Sequence, residues 1–567
     1  MRQDYNQPLP WLVLACAGAV AAAVAGRRSP APAAPAAPPG ARPRLLLAAL
    51  AVAATAAVTT LATLDRWPVA TLLLWLAGAG LGALASRGGP ATPPTRPSPP
   101  WGGGEVAILA ALLALAAAAR VLWIDALPRA IFGDEPRVGM YLANAYADGR
   151  IPNFFRMGWN TWPVVGLSLQ GLVVPLRGLD VTALRLSSAL LGTLGVLATY
   201  LLARELSGPR LAWLAAFLFA VCRTAIDFSR LGITHAQILF LEPLALLHLW
   251  RAINGGRAAH WWMAGVATGW CLFSYNAGQL VPVLVGGWLA LLLLRRPARL
   301  ATHWRGGALL AAGFALTVFP YAYFVTDAFH FGPNWQQFTI MARNRQTMSQ
   351  VSEAWRVVGA DRAWEILRRQ IWVTWLGFGV LPGSGYDIGY RRGGMLDDVA
   401  AALFALGLAM ALRRSARARD AFVPFWWLLT AVAGGIRYRR PARHRAHGRP
   451  AAGDRHPRRA AARLARSPPA PPGRRRSAGL AAALLLVASG GVNWRTYFVD
   501  FAATLGDPNS EMARYLASRP PNQYVLLGPE HHLALYQELF LIEFPDRVAD
   551  ELDVAHALPC TSRSTRR

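Results

Sequence analysis

Apolar residues occur in long uninterrupted runs along this chain, separated by short loops that carry most of its charge. Many runs approach about 20 residues, the length that crosses the hydrocarbon core of a bilayer as a helix. The pattern predicts an all-α polytopic membrane protein with about 12–13 spans. It also predicts helices in the external loops and a small α/β tail at the C-terminal end.

Shifts in composition divide the chain into four predicted regions. Residues 1–100 form a membrane extension that ends in a Gly/Pro linker, and residues 101–435 form the membrane core. Residues 436–478 form an Arg- and Pro-rich tract. Residues 479–567 contain a last span and the external tail, in which Tyr524–Gly528 is a predicted strand.

The Arg-rich tract does not fit the pattern of the rest of the chain. Residues 437–476 hold 14 Arg and a single acid, Asp454. One interpretation is a disordered basic loop, since so few apolar residues cannot form a core. The other is a shifted reading frame that replaced one or more spans.

The charge of the chain reflects membrane topology. The 567 residues are 54% hydrophobic and only 16% charged, against roughly 25% in a soluble protein. The formal net charge of +28 comes entirely from Arg, which clusters in the loops between spans. This distribution is typical of cytoplasmic loops in membrane proteins and excludes a nucleic-acid partner. The four Cys residues have no metal-ligand spacing.

The same Arg distribution predicts which loops lie outside the cell. It places the loops at 124–160 and 326–396 on the outer face of a multi-pass protein of the cytoplasmic membrane. The apolar stretch at 162–176 is predicted to be re-entrant or interfacial, because a full span there would invert every later loop.

An acidic pair, Asp134 and Glu135, lies on the first long external loop within residues 131–136. Charged side chains beside a bilayer are costly and are seldom retained without a use, although Gly-Asp-Glu-Pro is also an ordinary turn sequence. Residues 137–149 carry apolar side chains at helical spacing. They predict a helix lying on the membrane with the two carboxylates at its start, so both residues are candidate catalytic groups.

Further polar residues lie near the predicted external helix ends. Arg230 and His235 occupy the next external turn, and Glu242 follows inside an apolar run. Arg343 and Arg345 lie on the long loop 326–396. Arg at an external membrane surface suits a phosphate or a sugar, whereas a carboxylate inside a span needs a partner or a bound cation.

Several of these motifs occur in the order of a known family. They are Gly133-Asp134-Glu135, the run Ala183–Gly192, Phe228-Ser229-Arg230, Tyr275 at the external end of a span, and Gly394-Met395-Leu396-Asp397-Asp398. Residues from about 120 to 325 thereby resemble the GT-C glycosyltransferases of the protein O-mannosyltransferase and aminoarabinose-transferase type, glycosyltransferase family 39. The resemblance implies a GT-C-like helical bundle. It also implies sugar transfer from a polyprenyl-phosphate donor to an acceptor, which is a protein, lipid or glycan, on the outer face.

The resemblance also implies roles for individual residues. The family's acidic pair falls on Asp134 and Glu135. Its Asp-Pro motif falls on Glu242 and the Pro that follows, which makes Glu242 a candidate metal ligand. A divalent metal is then the one candidate cofactor.

The expected chemistry needs a carboxylate base and cations that hold the departing lipid phosphate. We assign the base to Asp134 with Glu135 in support. Candidate substrate and phosphate contacts are Arg230, His235, Tyr275, Arg343 and Arg345. Two alternatives remain open: a transporter or flippase for a lipid-linked or polar substrate, and an inactive membrane protein. The polar residues gather at external helix ends rather than at the midplane, which disfavours the transporter.

Overall fold

A computed structural model of the chain describes residues 41–87, 100–146, 151–156, 158, 162–255, 257–295, 303–331, 365, 368, 371–379, 394–437, 472–503, 510–511 and 514–515. Within these ranges the secondary structure is helical and contains no strand. The predicted all-α polytopic architecture is therefore confirmed for this part of the chain. The predicted strand at 524–528 lies outside it, as do Arg343, Arg345 and most of the Arg-rich tract.

The described α-helices are numbered in chain order. They are α1 (Ala41–Thr63), α2 (Pro68–Ser86), α3 (Gly103–Val121), α4 (Asp134–Ala145), α5 (Val164–Gln170), α6 (Val174–Arg177), α7 (Val181–Ser207), α8 (Pro209–Val221), α9 (Arg223–Phe228), α10 (His235–Ile253), α11 (Ala258–Cys271), α12 (Leu280–Arg295), α13 (Trp304–Phe331), α14 (Asp398–Arg413), α15 (Ala418–Arg437) and α16 (Pro472–Trp494). A 3₁₀ turn at Asn276–Gln279 precedes α12, and a π-helical turn at Arg495–Phe501 follows α16.

Six of the described helices are long and apolar enough to cross a membrane. These segments are Arg44–Thr63, Pro68–Ser86, Gly103–Val121, Val181–Ser207, His235–Ile253 and Ala277–Arg295. The stretch at 162–176, expected to be re-entrant or interfacial, contains the two short helices α5 and α6.

Local sequence signals fix the bounds of the long helix α7. The Asp180 carboxylate accepts a hydrogen bond from the Ala183 backbone N–H at 2.5 Å and so caps its first turn. Gly208 ends the helix with a φ of 87°, a conformation that glycine adopts without steric cost. Pro209 then opens α8, where its missing N–H costs nothing. The two helices therefore return as a tight hairpin.

The hairpin of α1 and α2, expected to be a membrane extension, packs directly on the core helices. Trp75 of α2 stacks on Trp270 of α11 with ring centroids 4.7 Å apart. Its indole N–H donates to the backbone carbonyl of Thr317 in α13 at 3.1 Å. A buried tryptophan with its N–H satisfied is a specific attachment, so the hairpin forms one wall of the membrane core.

Polar contacts hold α16 to the rest of the bundle. Asp397 caps α14 through Oδ1, while its Oδ2 accepts hydrogen bonds from Ser489 and Asn493 of α16, both at 2.7 Å. Helix α16 begins at Pro472 rather than at 479, the boundary that the sequence predicted. The Asp397 motif therefore docks a late helix onto the bundle.

Candidate functional site

Glu135 and Arg185 form a fully buried ion pair that joins α4 to α7. Both side chains are 0% exposed, and two parallel hydrogen bonds of 2.9 and 3.0 Å connect the guanidinium to the carboxylate. The same carboxylate accepts backbone N–H groups from Phe132 at 2.8 Å and Gly232 at 2.6 Å. With four donors around it, Glu135 is a structural anchor in this geometry. Its partner Arg185 was not among the site residues predicted from the sequence.

The loop that leads to α4 is held by two buried arginines. Arg185 also donates to the backbone carbonyls of Ile124, Pro128 and Ala130 at 2.8 to 3.3 Å. Arg230 is 0% exposed and donates to carbonyls of residues 119, 122 and 127 at 2.8 to 3.2 Å. A guanidinium whose N–H groups bind backbone carbonyls in the interior positions this loop. Its burial does not match the phosphate contact expected from the sequence.

A third set of contacts to this loop comes from residues 510 and 511, which follow α16 in the chain. The backbone N–H of Ile131 donates to Ser510 Oγ at 2.8 Å, and Arg129 pairs with Glu511 at 2.5 Å between Nε and Oε1. The Arg129 hydrogen bond lowers the pKa of the exposed Glu511 carboxyl. The loop that positions Asp134 is thus fastened by α7, by the α9–α10 turn and by residues 510–511.

Gly232 lets the α9–α10 turn approach the ion pair. A Cβ at this position would lie 2.6 Å from Leu184 Cβ and 3.2 Å from Glu135 Oε1. We expect Gly232→Ala to cost about 1–3 kcal/mol, because the overpacked site must shift or break a Glu135 hydrogen bond. The measurement is the apparent melting temperature in detergent.

The matched control for this change is Gly133→Ala, in the loop that leads to α4. A Cβ at Gly133 meets nothing within 4 Å. We expect this control to melt like the wild type. A Gly232→Ala protein as stable as the Gly133→Ala protein would contradict the tight packing of Gly232 against the ion pair.

Asp134 lies beside the buried pair but in a different environment. It begins α4 and is partly exposed, whereas Glu135 is inaccessible to solvent. Its position in the first turn is favourable for a negative charge, since the backbone N–H groups of a helix start point toward it. Arg137 follows one turn later on the same helix and is exposed. Together they present one carboxylate and one cation at the start of α4.

His235 and Tyr275, two predicted substrate contacts, are brought together by the fold. Their rings stack with centroids 3.6 Å apart, and the Phe228 ring also stacks on His235 with centroids 5.7 Å apart. Tyr275 meets Trp162 edge-on at 5.8 Å. These aromatic rings form a wall next to the apolar side chains that bury α4.

Glu242, the candidate metal ligand, lies apart from this group within α10. Its carboxylate accepts a hydrogen bond from the indole N–H of Trp426 at 2.6 Å. In the part of the chain that the structure describes, no three His, Cys, Asp or Glu side chains are grouped closely enough to hold a metal ion. Among these described residues the donors near Glu242 do not form a metal site, and its carboxylate links α10 to α15.

An apolar cavity of about 720 Å³ lies behind α4, on the side of the α1–α2 hairpin. It is enclosed by side chains from α2, α4, the α5–α6 segment and α11. Its apolar lining residues include Leu72, Leu76, Leu142, Leu172 and Trp270. Its composition is that of a site for an apolar chain.

Comparison with known proteins agrees with the motifs. Residues 162–324 match the family model described as Dolichyl-phosphate-mannose-protein mannosyltransferase. The undecaprenyl phosphate-alpha-4-amino-4-deoxy-L-arabinose arabinosyl transferase of Pseudomonas aeruginosa is 30% identical over 167 residues, which are 28% of this chain and 30% of that protein. The resemblance to GT-C glycosyltransferases is confirmed over this segment. The match spans about a third of the length of that relative, and the family segment begins after Asp134 and Glu135.

Solved structures give more distant matches. The oligosaccharyltransferase of Archaeoglobus fulgidus in its apo form aligns with a TM-score of 0.45 and 15% identity, over 78% of this chain and 60% of that chain. The S. cerevisiae protein O-mannosyltransferase Pmt1-Pmt2 complex bound to the sugar donor aligns with a TM-score of 0.32 and 20% identity, over 42% and 35%.

Proposed function

We propose that this chain is a membrane glycosyltransferase that moves a sugar from a polyprenyl-phosphate donor to an acceptor on the outer face of the cytoplasmic membrane. The proposal is supported by the family match over residues 162–324 and by the curated relative, whose name includes undecaprenyl phosphate. The geometry that carries it is the contrast between the two neighbouring carboxylates. Glu135 is locked by Arg185, which leaves Asp134 as the accessible acid at the start of α4.

In this proposal Asp134 acts as general base. The acceptor oxygen or nitrogen forms a bond to the anomeric carbon of the donor sugar and transfers its proton to the Asp134 carboxylate. The bond from that carbon to the phosphate oxygen breaks, and its electron pair leaves on the lipid phosphate. The buried pair, with Arg230, holds the loop that aims Asp134 at the acceptor.

Cations must stabilise the departing phosphate, and Arg137 is placed to do so at the start of α4. Arg343 and Arg345 lie outside the described residues, and their contact with phosphate stays a prediction. His235 and Tyr275 form the aromatic wall beside this position. No step requires a metal at Glu242, whose carboxylate bonds to Trp426.

The apolar cavity behind α4 is proposed to receive the polyprenyl chain of the donor. Its lining is almost entirely aliphatic and aromatic, and one of the helices that line it, α2, is long and apolar enough to cross a membrane. Burial of an isoprenoid chain there would contribute about 0.8 kcal/mol for each buried CH₂ group. Leu142 and Ala143 of its lining lie about two helical turns after Asp134, so the donor phosphate has to extend beyond the cavity to reach the base.

The direct test is a donor turnover assay with the full chain in lipid vesicles. Synthetic polyprenyl-phosphate sugars are supplied with a membrane extract as the acceptor source, and release of free polyprenyl phosphate is measured. We expect release that depends on the wild-type chain. Movement of an intact labelled donor between leaflets, with no release, would instead support a flippase and overturn the proposal.

Outer-face chemistry gives a topology prediction. In a cysteine-free background, Arg137→Cys should react with a membrane-impermeant maleimide in intact cells. Arg305→Cys, at the start of α13, should react only after permeabilisation, because the Arg-rich loops are expected in the cytoplasm. Both positions are exposed, so access to the reagent differs only by the side of the membrane. Labelling of 137 only after permeabilisation would refute the outer-face site.

A further inference from the structure

A second cavity, of about 930 Å³, opens beside the turn between α1 and α2. Four segments line it: the α1–α2 turn with the start of α2, the second half of α4, residues 151–156, and Val164 at the start of α5. The polar and aromatic side chains among its lining residues are Asp65, Trp67, Tyr141, Asn153 and Arg156. This lining differs from that of the apolar cavity behind α4, which has few polar groups.

The walls of the cavity are joined by polar contacts. The Asn153 side chain is buried and donates from Nδ2 to the carbonyl of Ala62 at the end of α1, 2.5 Å away. Arg156 and Asp65 form an ion pair of 3.4 Å in which both side chains remain about half exposed. The extension hairpin is therefore tied to the segment that follows α4, and the cavity is built by both.

The turn adopts a backbone conformation that side chains disfavour. Asp65 and Trp67 have φ values of 54° and 48°, in the left-handed region. Residues other than glycine rarely adopt this conformation. The conformation leaves the Trp67 indole 68% exposed at the rim of the cavity. An exposed tryptophan in this backbone conformation does not stabilise the fold, so stability does not account for its presence here.

Helix α4 connects this cavity to the proposed base. Tyr141 lies two helical turns after Asp134 and on the same face, which corresponds to about 10 Å along the axis. Burial raises the pKa of Tyr141 to about 12, so its hydroxyl stays protonated and can donate a hydrogen bond. A molecule with its reacting group at Asp134 would have to extend about 10 Å along α4 to reach Tyr141 in the wall of the cavity.

We propose that this cavity binds a neutral saccharide portion of the acceptor, with the Trp67 indole as its stacking platform. The inference rests on the proposed function and names the acceptor class. An indole face covers the apolar C–H face of a sugar ring, while Asp65 accepts and Arg156 donates hydrogen bonds to hydroxyl groups. Because these two charges cancel, the rim favours a neutral ligand over an anionic headgroup or a basic peptide.

Trp67 has a simpler role to be distinguished, that of an anchor at the membrane interface. Trp123 provides a matched control. It is 58% exposed, has a φ of 54°, and follows α3 in the same external loop as Asp134. It does not line the cavity. Glycine is compatible with positive φ at either position, so Trp67→Gly and Trp123→Gly should both fold.

The experiment measures equilibrium binding of neutral linear trisaccharides of mannose and of glucose to the full chain in nanodiscs, without donor. We expect at least one to bind, with affinity lowered by about tenfold or more in Trp67→Gly, which loses the stacking face, and in Asp65→Asn, which replaces one acceptor oxygen with an amide donor and removes the charge. Trp123→Gly should stay within about twofold of wild type. Equal losses in both tryptophan variants, or no binding by wild type, would overturn the inference.

Two further arms define the ligand. Displacement of the trisaccharide by a neutral Ser/Thr-rich peptide would overturn the saccharide assignment in favour of a peptide acceptor. Tighter binding of an alkyl trisaccharide than of the free one supports a glycolipid source, and equal binding supports a soluble glycan. Asp125→Asn, which changes a carboxylate that does not line the cavity, should bind the trisaccharide like wild type. The saccharide-binding result therefore tests the cavity independently of the proposed chemistry, which is tested by donor turnover.

Discussion

Arg185→Ala is expected to destabilise the protein strongly, because it breaks the ion pair that anchors α4 to α7. It leaves the Glu135 carboxylate buried without its cation and removes three hydrogen bonds to the carbonyls of the preceding loop. Removal of one partner of a buried ion pair costs about 3–5 kcal/mol. We expect a large fall in apparent melting temperature and in the yield of monodisperse protein, with loss of activity following from the displaced loop.

The chain offers a closely matched control for this change. Arg177 pairs with Asp180 at 3.1 Å a few residues earlier, but both side chains remain substantially exposed. An exposed pair contributes about 0–1 kcal/mol, so Arg177→Ala should melt close to wild type. If Arg185→Ala and Arg177→Ala melt alike, the buried pair does not anchor α4.

The role of Glu135 can be distinguished from that of Asp134 by measuring both the melting temperature and donor turnover. Glu135→Gln places an amide N–H₂ among four donors, so at least one donor loses its acceptor. Stability and turnover should therefore fall together. A combined Glu135→Gln and Arg185→Gln variant should recover part of the stability, because no charge is then left buried alone.

Helix positions were predictable from the sequence because their signals are local. The apolar run predicted at 181–203 is the helix Val181–Ser207, and its ends are set by Asp180 and Gly208, which lie next to it in the chain. The Gly-Asp-Glu segment likewise predicted a helix with carboxylates at its start, and α4 begins at Asp134. Each of these features depends on residues within a few positions of one another.

The roles of individual site residues were less predictable because they depend on partners far away in the chain. Glu135 is paired with a residue 50 positions later, and Glu242 with one 184 positions later. Nothing near Arg230 in sequence indicates that its guanidinium binds carbonyls of residues 119–127. An Arg at the external end of a predicted span, such as Arg185, was the one available signal for the buried pair.

Asp134→Asn is expected to remove most sugar transfer while leaving the fold intact. The side chain is partly exposed at the first turn of α4, and asparagine is nearly isosteric and also suits a helix start. General base catalysis contributes about 10²–10⁴-fold, so the turnover number should fall by that factor with little change in the apparent melting temperature. The measurement is release of polyprenyl phosphate from a synthetic donor at saturating concentration.

Asp125→Asn is the control for this prediction, since Asp125 is an exposed carboxylate in the loop that leads to α4. It should keep wild-type turnover, because it is not placed at the start of α4. The two variants remove the same charge from the same loop, so a general electrostatic effect on donor capture would lower both equally. A fall of less than about tenfold for Asp134→Asn would exclude Asp134 as the base. In that case the buried pair would still explain how the loop is held, but the accessible carboxylate next to it would not explain the chemistry.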